Sequence, residues 1–282
     1  MKLTWSDFSF DFSKRTYIMG ILNVTPDSFS DGSLYFNEKK AIEHALRLVE
    51  EGADIIDIGG ESTRPGSEPV PIEEEIRRTI PVIRALSKEI KIPISIDTYK
   101  AEVARQALDA GASMVNDISG LRFDPDMPRI VAEYDVPVII MHIKGRPKDM
   151  QVNPVYEALI PEIMDYLRIS IRLAIKFGIK EDRIIIDPGI GFGKTFEHNL
   201  EIINNLKEFT LLEKPVAIGV SRKAFIGKIL GDLPPQERLE GTAAAVAISI
   251  YNGANIVRVH DVKSMVRVAR IVDSIMRERI LN

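Results

Sequence analysis

The sequence predicts an α/β protein: a (β/α)8 TIM barrel that forms a single domain over residues 1–282, with a short N-terminal hairpin as a cap. Three observations favour this fold class. Eight short apolar runs recur a few tens of residues apart, amphipathic helical patterns separate them, and the pair Gly-Ala follows three of those patterns. Strands that alternate with helices pair in parallel, and eight such units in 282 residues match the size of a closed barrel. A doubly wound open sheet is the alternative.

The hairpin and the barrel strands can be placed along the chain from their apolar residues. Residues 3–14 alternate apolar and polar side chains, which is typical of a small hairpin. The later apolar runs are too short for helices, and three of them follow a proline, which a strand tolerates at its start. The predicted barrel strands are Tyr17–Leu22, Ile55–Ile58, Ile94–Ile96, Met114–Val115, Val138–Met141, Ile184–Ile186, Val216–Val220 and Ile256–Val259.

Seven segments outside these strands show a helical period. In the first of them, Ala41, Ala45 and Leu48 fall on one face, as in an amphipathic helix packed on a sheet. The predicted helices are Glu38–Glu51, Ile72–Ile90, Lys100–Ala110, Val155–Phe177, Glu197–Leu206, Thr242–Tyr251 and Val262–Ile280. Residues 242–251 are apolar on every side, which predicts a helix that is buried on most sides.

The composition limits the class of protein and the kind of site. The chain contains no cysteine, which excludes disulfides, a thiolate nucleophile and a cysteine-bound zinc site. Its net charge of −4 argues against a general nucleic-acid binder. No apolar run is long enough to span a membrane, and the N-terminal residues lack the apolar core of a signal peptide. We therefore expect a cytoplasmic protein without nucleic-acid or membrane partners.

Polar side chains follow the carboxyl ends of the predicted strands, where a (β/α)8 barrel builds its site. The residues that could line one pocket there are Asp97, Asn116, Asp187 and Lys223. Carboxylates accept hydrogen bonds, a lysine donates them and an amide does both. A flat heterocycle with an amidine-like edge matches this set, because two parallel N–H groups suit one carboxylate and a carbonyl suits the lysine. Alone, Asp97 and Asp187 could equally cap backbone N–H groups where a strand meets a loop, and Asn116 could form an Asx turn. Their convergence at one mouth of the barrel is what predicts a site.

Positive charge is predicted at the same mouth, on Arg64, Arg258 and His260. These side chains predict an anion at the rim of the pocket, and Arg258 can also stack its guanidinium plane on a ring. If the anion is a diphosphate, Mg2+ is expected with it, since this ion prefers phosphate oxygens, water and few protein oxygens. Asn23, at the end of the first barrel strand, is then the natural protein ligand.

Residues 189–195, with the sequence GIGFGKT, look like a phosphate-binding P-loop. That motif requires a glycine at the position where this chain has Pro188. The segment also follows the sixth barrel strand within an eightfold repeat. We therefore interpret it as a loop between a strand and a helix, and reject an ATPase.

Eight short blocks, taken together and in order, resemble the dihydropteroate synthase family over residues 17–261. The blocks are LNVTPDSFSDG (residues 22–32), DIGGESTRPG (57–66), SIDTYK (95–100), NDISG (116–120), MH (141–142), DPGIGFGK (187–194), GVSRKAFIG (219–227) and RVHDV (258–262). The resemblance implies a (β/α)8 barrel, usually a homodimer, and a place on the route to folate. The implied reaction joins 6-hydroxymethyl-7,8-dihydropterin diphosphate to 4-aminobenzoate and yields 7,8-dihydropteroate and diphosphate. Sulfonamides compete for the aminobenzoate site in this family.

The resemblance also implies a role for each matching residue. Asp31, on the first loop with Phe29, would fold over the reacting centre, and the implied catalytic residues are Asp31, Asp97, Lys223 and Arg258. Implied pterin contacts are Asp97, Asn116, Met141, Asp187, Phe192, Gly219, Lys223 and Arg258. Implied 4-aminobenzoate contacts are Thr63, Arg64, Pro65, Ser221 and Lys223. Implied diphosphate contacts are Asn23, Arg258 and His260, with Mg2+ on Asn23.

The chain departs from the family pattern in its first loop. Ser33 stands where a second glycine usually follows Gly32, and residues 34–37 form a loop without a match. The segment around His142 is near the family pattern but variable in the family, so no chemistry is assigned to that histidine.

Two other functions share the predicted pocket. A corrinoid-linked methyltransferase that uses methyltetrahydrofolate would share Asp97, Asn116 and Asp187, but would need neither a loop that grips diphosphate nor the run Ser221, Arg222 and Lys223. A non-catalytic pterin-binding barrel would have no use for Asn23, Arg64 and Asp31 together. The presence of all these residues favours the synthase.

Overall fold

The computed structural model describes residues 1–25 and 34–280, except for the side chains of residues 34–37. Ten strands occur in these ranges. β1 (Lys2–Trp5) and β2 (Phe8–Asp11) form an antiparallel hairpin, as predicted. The others are β3 (Tyr17–Asn23), β4 (Ile55–Gly59), β5 (Ile94–Asp97), β6 (Met114–Asp117), β7 (Val138–Met141), β8 (Ile184–Asp187), β9 (Ala217–Ile218) and β10 (Ile256–Val259).

Strands β3 to β10 form one parallel sheet that closes into a barrel. Neighbouring strands pair in the order β8-β7-β6-β5-β4-β3-β10-β9. A parallel bridge between Ile186 and Val216 joins the two ends of that order. The closure confirms the predicted (β/α)8 barrel and excludes the doubly wound open sheet, whose edge strands stay apart.

The strand register places several polar strand ends side by side. Asn23 pairs with Gly59, Gly59 with Asp97, and Asp97 with Asn116. Because pairing continues through these polar residues, β4, β5, β6 and β8 end one or two residues later than the apolar runs predict. The carboxyl ends of parallel strands meet at one edge, so the register brings these side chains to one mouth of the barrel.

Helices follow the barrel strands and cover the outside of the sheet. They are α1 (Leu34–Glu50), α2 (Ile72–Glu89), α3 (Ala101–Asp109), α4 (Met127–Tyr134), α5 (Leu159–Lys176), α6 (Phe196–Asn204), α7 (Ala224–Ile229), α8 (Leu239–Tyr251) and α9 (Val262–Met276). The short helices α4 and α7 escaped prediction because one or two turns show no clear period. Among the helices described, none is long and apolar enough to cross a membrane.

Two predictions about helices were wrong. Residues 34–37 belong to α1 and not to a loop, because the apolar positions that define the helical period begin only at Ala41. α8 is not buried on most sides: Ile248 is 51% exposed and Tyr251 is 67% exposed. One face of α8 packs on the barrel through Val246 and Ile250, which are buried. An all-apolar pattern cannot show which face lacks a neighbour within the chain.

The hairpin closes the barrel at the end opposite the polar strand ends. Leu3, Trp5 and Phe10 pack in one buried cluster with residues from the interior of the barrel, including Met19 and Met114. The indole Nε1 of Trp5 donates a hydrogen bond to the carbonyl oxygen of Ser113, 2.8 Å away. A second, larger cluster fills the layer between the sheet and the helices. One mouth of the barrel is therefore plugged by apolar side chains, and the polar mouth is left for a ligand.

Candidate active site

An arginine between two carboxylates forms the centre of the polar mouth. Arg258, on β10, donates from Nε to Oδ2 of Asp57 at 2.5 Å and from Nη2 to Oδ2 of Asp97 at 2.6 Å. Asn116, on β6, donates from Nδ2 to the same Oδ2 of Asp57 at 3.1 Å. Four strands thus contribute to one hydrogen-bonded group.

The second oxygens of both carboxylates lack a partner. Oδ1 of Asp57 and Oδ1 of Asp97 are buried and accept no hydrogen bond from the part of the chain that the structure describes. A buried polar atom without a partner is costly, and carboxylate oxygens are acceptors only. The centre is therefore incomplete, and a ligand with N–H or O–H groups would complete it.

Burial raises the pKa of Asp97 to about 7, although the charge of Arg258 opposes the rise. The negative charge of Asp57 adds to the rise. A carboxyl group with such a pKa changes its protonation near neutral pH. Donors brought by a ligand would favour its ionised form.

Asp187 and Lys223 face the same region from β8 and from the segment after β9. Burial raises the pKa of Asp187 to about 6, while the backbone N–H of Gly189, which donates to its Oδ1 at 2.7 Å, favours the ionised form. Burial lowers the pKa of Lys223 to about 8, and the charges of Asp187 and Asp97 act against that change. Both carboxylates therefore act electrostatically on the same ammonium group.

Apolar side chains form a wall beside these charges. Met141 belongs to a small buried cluster with Ile118 and Met150, and Phe192 packs against it. The Nζ of Lys223 lies 4.5 Å from the centroid of the Phe192 ring. A flat ring held against this wall would keep its edge available to the polar groups. Gly219 lies beside Arg258: a Cβ on this glycine would be 3.9 Å from the Cβ of Arg258, an ordinary contact distance.

At the rim, His260 and Ser221 form a pair. Nδ1 of His260 lies 3.0 Å from Oγ of Ser221, and the backbone N–H of His260 donates to the same Oγ at 3.2 Å. Burial lowers the pKa of His260 to about 3, and the positive charges of Arg258 and Arg222 lower it further. The prediction that His260 supplies positive charge was therefore wrong for this state, because a buried imidazole beside two guanidinium groups stays neutral.

Thr63, Arg64 and Pro65 lie on the loop between β4 and α2. Thr63 is half-buried, whereas Arg64 and Pro65 are exposed. The charge of Arg64 contributes to the low pKa of His260, so the two groups are within electrostatic reach. The backbone N–H of Gly66 donates to the carbonyl oxygen of Pro147 at 2.9 Å. This hydrogen bond connects the loop to the segment after β7.

Part of the predicted site lies outside the described residues. Asp31 and Phe29 fall in residues 26–33, so their predicted roles remain predictions. Asn23 ends β3 and is half-buried. No group of three or more His, Asp or Glu side chains that could hold a metal occurs in residues 1–25 and 38–280. Asn23 therefore offers a single neutral oxygen, which suits an ion that takes its other ligands from water and phosphate.

Asp57 is the main residue of this centre for which no role was predicted. It is fully buried and accepts hydrogen bonds from both Arg258 and Asn116. The signal was present: a carboxylate in the middle of the apolar strand IIDIG is costly unless it is paired. What the sequence could not show is which cation pairs with it.

The P-loop-like segment does not present its lysine to a phosphate. Nζ of Lys194 is buried and lies 2.9 Å from Nδ1 of His142 and 3.0 Å from the carbonyl oxygen of Phe192. A P-loop lysine instead reaches the phosphates of its ligand. The geometry supports the rejection of an ATPase.

A profile of the family described as pterin binding enzyme matches residues 19–260. The chain belongs to the pterin binding enzyme family. Two curated relatives are named dihydropteroate synthase, and the eight sequence blocks had predicted that family. The protein of Synechocystis sp. is 51% identical over 268 residues, which cover 95% of this chain and 93% of the relative. That of Bacillus subtilis is 49% identical over 267 residues, covering 95% of this chain and 91% of the relative.

Solved pterin binding enzymes share the fold closely. A dihydropteroate synthase from Clostridium difficile, crystallised in the presence of pteroic acid, has a TM-score of 0.90 and 50% identity and covers 95% of this chain and 99% of its own. The enzyme of Yersinia pestis in a sulfonamide complex has a TM-score of 0.93 and 42% identity, and the match covers 98% of this chain and 100% of its own. That of Xanthomonas albilineans with 4-aminobenzoic acid has a TM-score of 0.91 at 42% identity, with 98% of each chain covered.

Proposed function

We propose that this protein is a dihydropteroate synthase. It is a transferase of folate synthesis that joins 6-hydroxymethyl-7,8-dihydropterin diphosphate to 4-aminobenzoate and releases diphosphate. The observation that carries the proposal is the incomplete centre of Asp57, Asp97 and Arg258, which needs a donor-rich ligand. The names of the relatives, at up to 51% identity, support the same reaction.

The pterin ring lies against Met141 and Phe192, with its polar edge toward the buried carboxylates. Asp187 accepts two parallel N–H groups of the ring, and Lys223 donates to its carbonyl. Asp97 and Asn116 hold the remaining polar atoms, and Gly219 leaves room for the ring. Support comes from the shared electrostatic field of Asp97, Asp187 and Lys223 and from the adjacent apolar cluster.

4-Aminobenzoate binds nearer the surface, between the second and seventh loops of the barrel. Thr63, Arg64 and Pro65 supply one side, and Ser221 and Lys223 supply the other. Support comes from the electrostatic reach between Arg64 and His260, whose partner is Ser221. Sulfonamides are expected to compete with 4-aminobenzoate, and the relative from Yersinia pestis was solved with such a drug.

The diphosphate is held by Asn23, Arg258 and His260. Arg258 already donates hydrogen bonds to two carboxylates. Their negative charges therefore offset part of the positive charge that Arg258 presents to an anion. His260 binds as a neutral donor: when the hydroxyl of Ser221 donates to Nδ1, Nε2 carries the proton. Asn23 would hold Mg2+, which supplies charge neutralisation at the departing diphosphate.

The chemical step is a displacement at the CH2 group between the ring and the diphosphate. The ring shares the positive charge that develops on this carbon, so the C–O bond to the diphosphate breaks before the C–N bond to the arylamine is complete, and the proton that the nitrogen then loses passes to the released diphosphate or to water. Asp31, closing from the first loop, stabilises that cation. The arylamine is already a fair nucleophile, and the enzyme contributes positioning and fixed charge more than base catalysis.

Asp31→Ala should therefore lower turnover far more than it weakens binding of the pterin diphosphate.

Release of diphosphate from the pterin diphosphate, with and without 4-aminobenzoate, tests the function. We expect release only with both substrates, and none after chelation of Mg2+. Binding of the pterin without release would identify a non-catalytic pterin-binding barrel. Methyl transfer from methyltetrahydrofolate to a corrinoid, without diphosphate release, would identify the methyltransferase. Full activity after chelation would exclude the role of Asn23.

A homodimer forms through the exposed apolar faces of α8 and α9 in this proposal. Ile271 and Ile275 on α9 are 63% and 65% exposed. A shallow apolar groove runs between the two helices and is lined by Ala243, Ala247 and Val268 as well as Ile271. A second copy of the chain would cover this face, since large contiguous apolar patches mark interfaces. Ile271→Glu should halve the mass measured by sedimentation, whereas Ile169→Glu, at an exposed apolar residue on α5, should not.

The cytoplasmic location stays a prediction. Fractionation of the source cells with a specific antibody tests it, and recovery of the protein in a membrane or extracellular fraction would contradict it.

A further inference from the structure

A buried lysine lies beneath the second barrel loop, residues 60–71, outside the pocket described above. Nζ of Lys100 donates to Oε2 of Glu61 at 2.6 Å, to Oε2 of Glu75 at 2.5 Å and to the carbonyl oxygen of Val70 at 2.6 Å. The exposed fractions of the three charged side chains are 11% for Lys100, 6% for Glu61 and 1% for Glu75. An ammonium group has three donors, and each has a short partner here.

Both ends of the loop meet at this ammonium group. Glu61 precedes Thr63 to Pro65, and Val70 follows them. The backbone N–H of Val70 donates to Oε2 of Glu61 at 2.7 Å, and the hydroxyl of Tyr99 donates to Oε1 of Glu61 at 2.6 Å. The loop is therefore closed at its base by side chains from the segment between β5 and α3.

The base of the loop is also packed tightly on α2. A Cβ added at Gly60 would lie 2.7 Å from Cγ2 of Thr79 and 3.0 Å from Cγ of Glu75. Arg78, also on α2, donates from Nη1 to the carbonyl oxygen of Gly60 at 2.8 Å. The backbone at the start of the loop thus has little freedom to shift relative to the barrel.

The tip of the loop has much weaker support. Arg64, Pro65 and Gly66 are exposed. Within residues 1–25 and 38–280, the tip is held by the backbone hydrogen bond from Gly66 to Pro147 and by an ion pair between Lys148 and Glu68 at 2.9 Å. That pair is largely exposed, with 64% and 70% of its side chains accessible, and pairs of this kind contribute little. The position of the tip is therefore set mainly at its base.

We propose that Lys100, with Glu61 and Glu75, is a positioning group that fixes the second loop at both ends and thereby sets the affinity for 4-aminobenzoate. The three residues, called the loop clamp below, act through Thr63, Arg64 and Pro65. This inference rests on the proposed function, because it assigns those three residues to the aminobenzoate side. The competing interpretation is that the buried ion pairs serve folding alone.

Lys100→Met tests the loop clamp by removing the charge and the donors while keeping the length of the side chain. We expect the KM for 4-aminobenzoate to rise about tenfold or more, since misplaced binding groups are costly. The Kd of the pterin diphosphate should change less than about threefold, because the groups proposed to hold the ring lie on the barrel strands and on the loops after β8 and β9, and not on the second loop. Hydrogen exchange at the amide of Val70 should also become faster, and this readout does not depend on activity.

Three further variants separate positioning from folding. Lys100→Met leaves two buried carboxylates without a cation, which destabilises the fold. Lys100→Met combined with Glu75→Gln removes one of these charges, so its melting temperature should recover toward that of the parent while the KM stays high. Tyr99→Phe removes one hydrogen bond to Glu61 and should raise the KM less. Lys148→Met is the matched control, because Lys148 is an exposed lysine that pairs with Glu68 at the tip of the loop. It should leave the KM within about twofold.

The outcomes distinguish the two interpretations. A KM that rises with an unchanged pterin Kd, and stays high in the stabilised double variant, supports the loop clamp. A melting temperature that falls while the KM stays unchanged shows a folding role alone and overturns it. Equal losses in both affinities also overturn it. If the parent protein releases no diphosphate, the proposed function fails instead, and hydrogen exchange at Val70 still reports on whether Lys100 orders the loop.

Discussion

Asp97 and Asp187 share one pocket but have different partners. Asp97 is bonded to the guanidinium group of Arg258, whereas Asp187 accepts one backbone N–H, from Gly189. With respect to the described part of the chain, Asp187 thus keeps acceptor lone pairs that suit a pair of parallel ligand N–H groups. Asp97 instead fixes the orientation of Arg258 and adds negative charge beside Lys223. At the scale of single residues, each carboxylate makes a separable contribution to the affinity for the pterin.

Asp187→Asn should weaken binding of the pterin by about 10- to 100-fold, because a hydrogen bond to a charged group is worth about 1.5–3 kcal/mol. An amide presents one acceptor and one donor group, so it cannot accept two parallel N–H groups. Calorimetric titration with 6-hydroxymethylpterin measures the effect. Asp165→Asn, at an exposed carboxylate on α5, is the control and should bind like the parent. Unchanged affinity in Asp187→Asn would remove this residue from the pocket.

The affinity for the pterin should fall with decreasing pH. In the free protein, burial raises the pKa of Asp187 to about 6 and that of Asp97 to about 7. The ligand binds the ionised carboxylates, so in the complex their pKa values are lower than in the free protein. Affinity is then complete only well above pH 7, where both groups are ionised in the free protein. It is lost progressively as the pH falls through 7 and 6, because binding must first release the protons.

Titrations with 6-hydroxymethylpterin between pH 5 and 8 check this dependence, since that ligand lacks a diphosphate with its own pKa in the range. The Asp187→Asn variant should lose the part of the dependence centred near pH 6 and keep the part that belongs to Asp97. An affinity that is constant over the range would contradict the proposed contacts.

At the scale of elements, the loop after β8 shows how one segment is shaped for the site. Gly189, Gly191 and Gly193 have φ values of 74°, 83° and 66°, which side chains with a Cβ rarely adopt. The loop ends at Thr195, which caps α6: its hydroxyl accepts the N–H of His198, and Nδ1 of His198 accepts the N–H of Thr195. Phe192 and Lys194 are thereby held on a segment whose two ends are fixed.

Thr195→Ala should lower the free energy of unfolding by about 1 kcal/mol, the usual effect of losing such a cap. The corresponding fall in melting temperature is about 2–4 °C for a domain of this size. Differential scanning calorimetry measures it. Thr210→Ala, which removes an exposed hydroxyl that caps no α-helix, should have a smaller effect. A loss equal in both variants would show that the capping box contributes nothing specific.

At the scale of the whole molecule, stability and chemistry lie at opposite ends of the barrel. The hairpin plugs one mouth with Trp5, Phe10 and Leu3, and the polar strand ends occupy the other. This separation is typical of (β/α)8 barrels. Their catalytic residues lie at the carboxyl ends of the strands, and the residues at the opposite end serve stability. Changes in the plug should therefore alter unfolding without altering the pocket.

Trp5→Ala should lower the free energy of unfolding by about 3–5 kcal/mol, the range for truncating a large buried aromatic residue. The carbonyl oxygen of Ser113 would also lose the donor on the indole. Denaturant titration measures the stability. At a temperature where the variant is folded, its kcat should match that of the parent. A large fall in kcat would show that the two ends of the barrel are coupled.

How much could be predicted depended on the range of the interaction involved. Strand positions and the mouth that bears the site followed from apolar runs and from the polar residues directly after them, so Asp97, Asn116 and Asp187 were placed correctly on their strand ends. The role of Asp57 did not follow, because its partner Arg258 is 201 positions away. The neutral state of His260 did not follow either, because it depends on burial and on neighbouring guanidinium groups.

The sequence by itself determined the eight-unit barrel, the hairpin cap and the family, since these rest on local periodicity and on short blocks of neighbouring residues. Only the tertiary structure decided which charges pair, which oxygens stay without a donor, and that Lys100 joins the two ends of the second loop. It also decided that one face of α8 is exposed in the single chain. The physical reason is that pairing and burial depend on distances in space, and residues far apart in the chain carry no local pattern that records those distances.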